Sequence, residues 1–223
     1  MSGRILLLTT LAIAALKAPN ALAAGGNYAI SGGTPAEQAQ VRAALNASSF
    51  NWSLLPQQIQ VTIEPGVGDY ATPGQVYLDP ALLDMGQYSW GIVQHEFGHQ
   101  VDFLLLNDSQ RAQLAQSLGG SGWWPDGSGT HSSFTCERFA STISWAYWPS
   151  PSNSLRPQSP SDEAGAMSPA AFRALLAQVL DEPSLAATPA VAPPNEKVYA
   201  PPVATKARPN AKSTFAVTRS AGF

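Results

Sequence analysis

The stretch Trp90 to Leu106, WGIVQHEFGHQVDFLLL, constrains this chain more than any other. It is apolar enough to lie in a core, yet it carries His95, Glu96, His99 and Asp102. The pattern predicts one long helix, from about Tyr88 to Leu106. Residues four apart stack on one face of a helix, so the imidazoles of His95 and His99 can reach a single ion. Glu96 is rotated from His95 by about 100°, within reach of a water on that ion without ligating the ion itself. Two of the chain's 3 histidines thus sit on one helical turn around a glutamate. A zinc hydrolase needs that arrangement. A buried helix with two satisfied core histidines is the plainer alternative, but Glu96 would then be an unexplained cost.

A catalytic zinc site takes three protein ligands and keeps a position open, so a residue further along must join the two histidines. The pattern H-E-x-x-H-x-x-G-x-x-H is excluded, because Asp102 and Leu105 stand where its glycine and third histidine belong. The candidates beyond the helix are Asp108, Asp126, His131, Glu137, Asp162, Glu163, Asp181 and Glu182. Glu137 is the strongest. It lies in the helical pattern Phe134 to Trp145, on the side that carries Phe134 and Ala140, and a carboxylate leaving a core-facing helix is costly unless a cation receives it. A salt bridge to Arg138 or Arg111 is the competing account of it. His131 is the rival, either as a ligand or as a hydrogen-bond donor beside the metal. Asp102, about 20° around the helix from His95, is placed to hold a histidine's second nitrogen or to make a structural contact with a backbone amide or an arginine.

The ends of the chain have a different character. Arg4, the apolar run Ile5 to Leu16 and Ala21-Leu22-Ala23 read as an export signal cleaved after Ala23. The run is too short to span a bilayer as a stable anchor. Residues 24–182 carry five arginines, no lysine and fourteen acids, a net charge of −9, which argues against nucleic acid as a partner. Residues 183–223 carry five bases against Glu196 and turn to Pro, Ala, Lys and Thr without periodicity. They read as a disordered basic tail suited to anionic cell-surface polymers. Cys136 is the one cysteine, so the fold cannot rely on an internal disulfide, and a small buried hydrophobe is the expected role.

Between these ends the pattern predicts an α+β domain over residues 24–182. Thr34-Pro35-Ala36-Glu37 has the form of a capping box opening a helix to about Ala47. Gln58 to Glu64 alternates as a half-buried strand, and Gly74 introduces a second strand, Gln75 to Asp79. That second strand is the expected exposed edge for an extended substrate. After the histidine helix, Asn107-Asp108-Ser109 caps a helix from Gln110 to Leu118, and a glycine-rich loop follows with Trp123 and Trp124. A helix over 133–147 and an amphipathic one from Pro169, with Phe172, Leu175, Leu176, Val179 and Leu180 on one side, complete a mainly helical C-terminal lobe.

His95-Glu-Phe-Gly-His-Gln-Val-Asp102, followed by Glu137-Arg-Phe-Ala140, is similar to the gluzincin zinc metallopeptidases. More narrowly it resembles the anthrax lethal-factor-like catalytic domains, which carry H-E-F-G-H-x-V-D and later E-x-F-A. The resemblance covers a quarter of the chain after the signal, or less. It implies a zincin-like fold with a small mixed sheet and an active-site helix, zinc on His95, His99 and Glu137, and Glu96 as general base. It also implies an exported peptidase acting on peptide or protein substrates, an endopeptidase rather than an exopeptidase. Where those domains place a transition-state tyrosine ahead of the ligand glutamate, this chain has Thr130 and His131, so the role passes to His131 or to a tyrosine, Tyr88 or Tyr147, or is absent. The alternatives are a catalytically silent binding module at the cell envelope and a zinc amidase acting on cell-wall peptides.

Overall fold

A computed structural model describes residues 26–125 and 129–181. The segments expected to be an export signal and a basic tail, with Asp126 and Glu182 among the ligand candidates, lie outside the described residues. Among the described residues, no helix is long and apolar enough to cross a membrane.

The chain opens with strand β1 (Tyr28–Gly32) and helix α1 (Pro35–Ala47). The expected capping box is formed: the Thr34 amide donates to Glu37 Oε2 at 2.7 Å and the Glu37 amide to Thr34 Oγ1 at 3.3 Å. Strand β2 (Ile59–Ile63) buries Ile59, Val61 and Ile63 and turns Gln60 outward, as its alternation requires. Strands β3 (Tyr70–Thr72) and β4 (Gln75–Leu78) form a hairpin closed at Gly74, whose φ of 79° suits a residue without a Cβ. The sheet has the order β1-β2-β4-β3, parallel except for the antiparallel β3. It is therefore small and mixed.

This order corrects one expectation. Gln75 to Asp79 is not an edge: β4 lies between β2 and β3. The short β3 covers it, and three residues are too few to show an alternation in sequence. β1 also lacks a clear pattern, with three half-buried residues followed by exposed ones.

A short helix α2 (Pro80–Leu83) leads to α3 (Trp90–Leu105), which runs through the middle of the molecule with every residue from Gly91 to Asp102 buried. Helix α4 (Asp108–Leu118) starts from a second capping box, between Asn107 and Gln110. Helices α5 (Thr135–Tyr147) and α6 (Pro169–Asp181) follow, and α6 buries Phe172, Leu176 and Val179 as its apolar stripe predicts.

Two residues of α3 fix its neighbours. A Cβ at Gly98 would lie 3.0 Å from Ala140 Cα and 3.2 Å from Ala140 Cβ, so α3 and α5 touch almost backbone to backbone there. Gln100, fully buried, donates to the carbonyls of Thr72 and Gln75 at 2.9 and 3.0 Å and accepts from the Gly74 amide at 2.7 Å. One amide side chain thus satisfies three backbone groups and ties the β3–β4 turn to α3.

Candidate metal centre

His95, Glu96 and His99 enter the site from α3, and Glu137 from the first turn of α5. The close α3–α5 approach at Gly98 and Ala140 brings the two sets together. The glycine-rich loop sets the start of α5: the amides of Thr135 and Cys136 donate to the carbonyls of Gly122 and Trp123 at 2.8 and 3.0 Å. Those carbonyls take up donors that a helix start leaves unpaired.

A single oxygen, Glu137 Oε2, faces three imidazoles. It lies 3.2 Å from His95 Nε2, 3.2 Å from His99 Nε2 and 2.8 Å from His131 Nε2. The two Nε2 atoms of His95 and His99 are 3.1 Å apart. A tetrahedral zinc with bonds of about 2.0–2.1 Å separates its ligand atoms by roughly 3.3 Å. The mutual spacing of His95 Nε2, His99 Nε2 and Glu137 Oε2 is close to that value. The His131 contact is shorter and has the length of a charge-assisted hydrogen bond. His131 sits in a 3-10 turn, His131–Ser133, with its ring stacked 5.7 Å from that of His95.

The protons can be assigned from the donors and acceptors present. The His131 Nδ1–H donates to Glu163 Oε1 at 2.7 Å, and the Ser141 hydroxyl donates to Glu163 Oε2 at 2.8 Å. A hydroxyl has one hydrogen, so at 3.0 Å from His95 Nδ1 the Ser141 oxygen accepts from the Nδ1–H. Burial lowers the His95 pKa and keeps the ring neutral, which leaves its Nε2 bare. Burial opposes ionisation of Glu137, but the histidines around it prevail and hold its carboxyl well below the usual range. Two bare acceptors therefore face one another at 3.2 Å, an arrangement that needs a cation between them. Without metal the positive charge comes from the His99 imidazolium, 3.1 and 3.2 Å from the two acceptors: burial depresses it, but the Glu137 carboxylate outweighs burial and lifts the pKa to about 9. The donor set of two imidazoles and a carboxylate equally suits Zn²⁺.

Glu96 is buried beside this cluster, and burial raises its pKa to about 8. Asp69, at the entry to β3, is raised to about 6 by burial, although the Asp79 amide donates to it at 2.9 Å. For His131, burial is outweighed by its bonds to Glu137 and Glu163, which raise it to about 11.

The structure sorts the remaining sequence candidates. Asp102 does not hold a histidine: it accepts from Arg111 Nε and Trp123 Nε1, both at 2.8 Å. It therefore joins α3 to α4 and to the loop, and Ser141 takes the histidine contact instead. Asp108 pairs with Arg111 at 3.0 Å, and Asp162 accepts from the amides of Gln158 and Ser159. Glu163 binds His131 and Ser141 rather than facing His95 Nε2 and His99 Nε2 as Glu137 does. Asp181 ends α6. Tyr147 packs edge-on against Phe50, 5.0 Å between ring centroids, at the far end of α5 from Glu137. Tyr88 is exposed in the turn before α3. Cys136 is buried as expected, and burial pushes its thiol far up.

Comparison of the chain with protein-family models, curated proteins and solved structures finds no match. The site's chemistry stands on its own geometry.

The two tryptophans part company. Trp123 serves Asp102 and packs on Phe139. Trp124 stacks on Phe103 at 5.7 Å, and Phe103 stacks on His99 at 6.0 Å. Arg111 lies 5.2 Å over the other ring in this ladder, Trp124. On sequence alone Phe103 and Ser141 stay unconnected to the site, although their spacing holds the signal: each is four residues beyond a candidate ligand, His99 and Glu137 respectively.

Proposed function

We propose that this chain is an exported zinc-dependent peptidase of the gluzincin type, with His95, His99 and Glu137 holding the metal. The observation that carries the reading is the mutual 3.1–3.2 Å spacing of their three ligand atoms, with Glu96 buried alongside them. A purely structural metal site has no use for such a carboxylate.

Bound zinc supplies Lewis acidity, which makes a water acidic near pH 7 and polarises a carbonyl. The chain's own groups do the rest. Glu96, whose apolar surroundings raise its proton affinity, takes a proton from the attacking water and returns it to the leaving amine. His131 is charged and held at Nδ1 by Glu163; its Nε2–H, bonded to Glu137 Oε2 at 2.8 Å in the metal-free centre, would be released once a metal took that oxygen and could then donate to the oxygen on which negative charge develops. An extended peptide pairs with the free side of β3, which the Gln100 contacts tie to α3. Phe103 and Trp124 form the wall for an apolar or aromatic substrate side chain.

The test is digestion of a diverse peptide pool by zinc-loaded wild type and Glu96→Gln, with cut sites read by mass spectrometry. The reading expects cleavage by wild type alone, with one zinc in each protein. Zinc in both and cleavage in neither would favour the binding module, and release of purified wall fragments alone would favour the amidase.

A further inference from the structure

We infer that Glu163 is a positioning residue that orients two imidazoles of the centre with one carboxylate, and through them sets metal affinity. The inference rests on the proposed zinc site and adds a residue from outside the two ligand-bearing helices. Glu163 belongs to the segment between α5 and α6, which contributes nothing else to the site described above. Its Oε1 accepts from His131 Nδ1–H at 2.7 Å, and its Oε2 accepts from the Ser141 hydroxyl at 2.8 Å. Ser141 in turn accepts from His95 Nδ1–H at 3.0 Å.

The direction of this relay is dictated by its end. An ionised carboxylate only accepts, so it draws the hydroxyl hydrogen of Ser141 to itself. The Ser141 oxygen is then left to accept, which fixes the proton of His95 on Nδ1 and bares Nε2, the atom that faces Glu137 and His99. Histidine ligands are held in this way by a partner on the other nitrogen, and losing that partner costs about 10- to 100-fold in metal affinity. Here the partner is a serine whose polarity is set one step further out. Helical spacing makes the relay possible: Ser141 lies four residues after Glu137, on the same face of α5.

Glu163→Gln changes the polarity with almost no change in volume. A glutamine can present its NH2 to Ser141, and the hydroxyl is then free to donate to His95 Nδ1. That would move the His95 proton to Nε2 and block the ligand atom. The experiment is a long-range 1H–15N spectrum of the full chain, in which only 3 histidines contribute, together with zinc affinity by chelator competition. In metal-free wild type His95 is expected to carry its proton on Nδ1. In Glu163→Gln the Nε2 form should gain population, and zinc should bind about 10- to 100-fold more weakly. Ser141→Ala, which removes the relay and leaves Glu163 on His131, should weaken zinc similarly. It serves as the decisive variant if Glu163→Gln does not fold.

Unchanged zinc affinity in folded Glu163→Gln and Ser141→Ala, with the His95 tautomer as in wild type, would overturn the inference. Failure of wild type to bind zinc would instead sink the metal reading, while the metal-free spectra would still decide whether Glu163 sets the tautomer.

Discussion

Glu96 shows how much a single side chain can carry in this site. It is buried, its proton affinity is raised to about 8, and it stands next to His95 in a group, His95, Glu96 and His99, that could hold a metal ion. General base catalysis of this kind contributes about 10²- to 10⁴-fold. Glu96→Gln is therefore expected to lower kcat by that range while zinc content, read by elemental analysis, stays at one per chain. At the same scale, sequence reasoning reached His95, Glu96, His99 and Glu137 because a four-residue spacing and a carboxylate in an apolar pattern are local signals. It offered Asp102 either a histidine or a structural contact to an amide or an arginine; the arginine is found in Arg111, while Trp123, which takes the other oxygen, lies too far along the chain to be read from local spacing. Glu163 appeared only as one candidate among eight, since its partners are Ser141, 22 residues away, and His131, 32 residues away. Contacts across such separations leave no periodicity to read.

At the scale of elements, the site depends on two close approaches. Gly98 lets α3 and α5 meet, and a Cβ there already presses on the Ala140 backbone at 3.0 Å. Gly98→Val should destabilise the protein by about 1–3 kcal/mol through overpacking, measured by urea unfolding. Zinc should also bind more weakly, because Glu137 would be carried away from the histidines. The second approach is the Gln100 clamp on the β3–β4 turn. Gln100→Leu would leave the Gly74 amide, now bonded at 2.7 Å, without a partner, at a cost of about 1–3 kcal/mol. If β3 receives substrate, KM should rise more than kcat falls in a peptide assay. Trp124→Ala, by opening the wall beside Phe103, is expected to reduce the preference for aromatic side chains more than overall turnover.

The capped helices α1 and α4, the alternating β2 and the amphipathic α6 all follow from local sequence. The position of β4 does not. Its neighbour β3 is three residues long, and only pairing in the assembled sheet reveals which strand is the edge.

At the scale of the whole molecule, the metal-free centre is a cluster of shared protons, and this makes its stability depend on pH. His99 has its folded pKa raised to about 9, from an ordinary 6.5, and Glu96 is raised to about 8, from 4.5. A group whose folded pKa is raised gives stability that is complete below its unfolded pKa and lost as pH climbs through the folded one. Glu96 loses its share between pH 4.5 and 8 and His99 between 6.5 and 9, and His131, raised from 6.5 to about 11, acts in the same direction, so the metal-free protein should melt at a falling temperature from pH 6.5 to 9. Glu137, held low, acts in the opposite direction only below its ordinary pKa of 4.5. Zinc bound as proposed would displace the proton on His99, so its affinity should rise with pH over the same window, by up to about tenfold per unit for one displaced proton. Scanning calorimetry with and without zinc from pH 6 to 9.5 should show the two curves diverging. Zinc-bound protein gains stability as RT ln(1 + [Zn]/Kd), and a gap that narrowed with pH would contradict the proton accounting.

The account rests on one ion shared by α3 and α5, and zinc titration of wild type against Glu137→Gln tests this most directly. It predicts one zinc per wild-type chain and a loss in Glu137→Gln larger than the roughly 10- to 100-fold expected for an outer contact. Equal affinity in the two proteins, or no stoichiometric zinc in wild type, would contradict it.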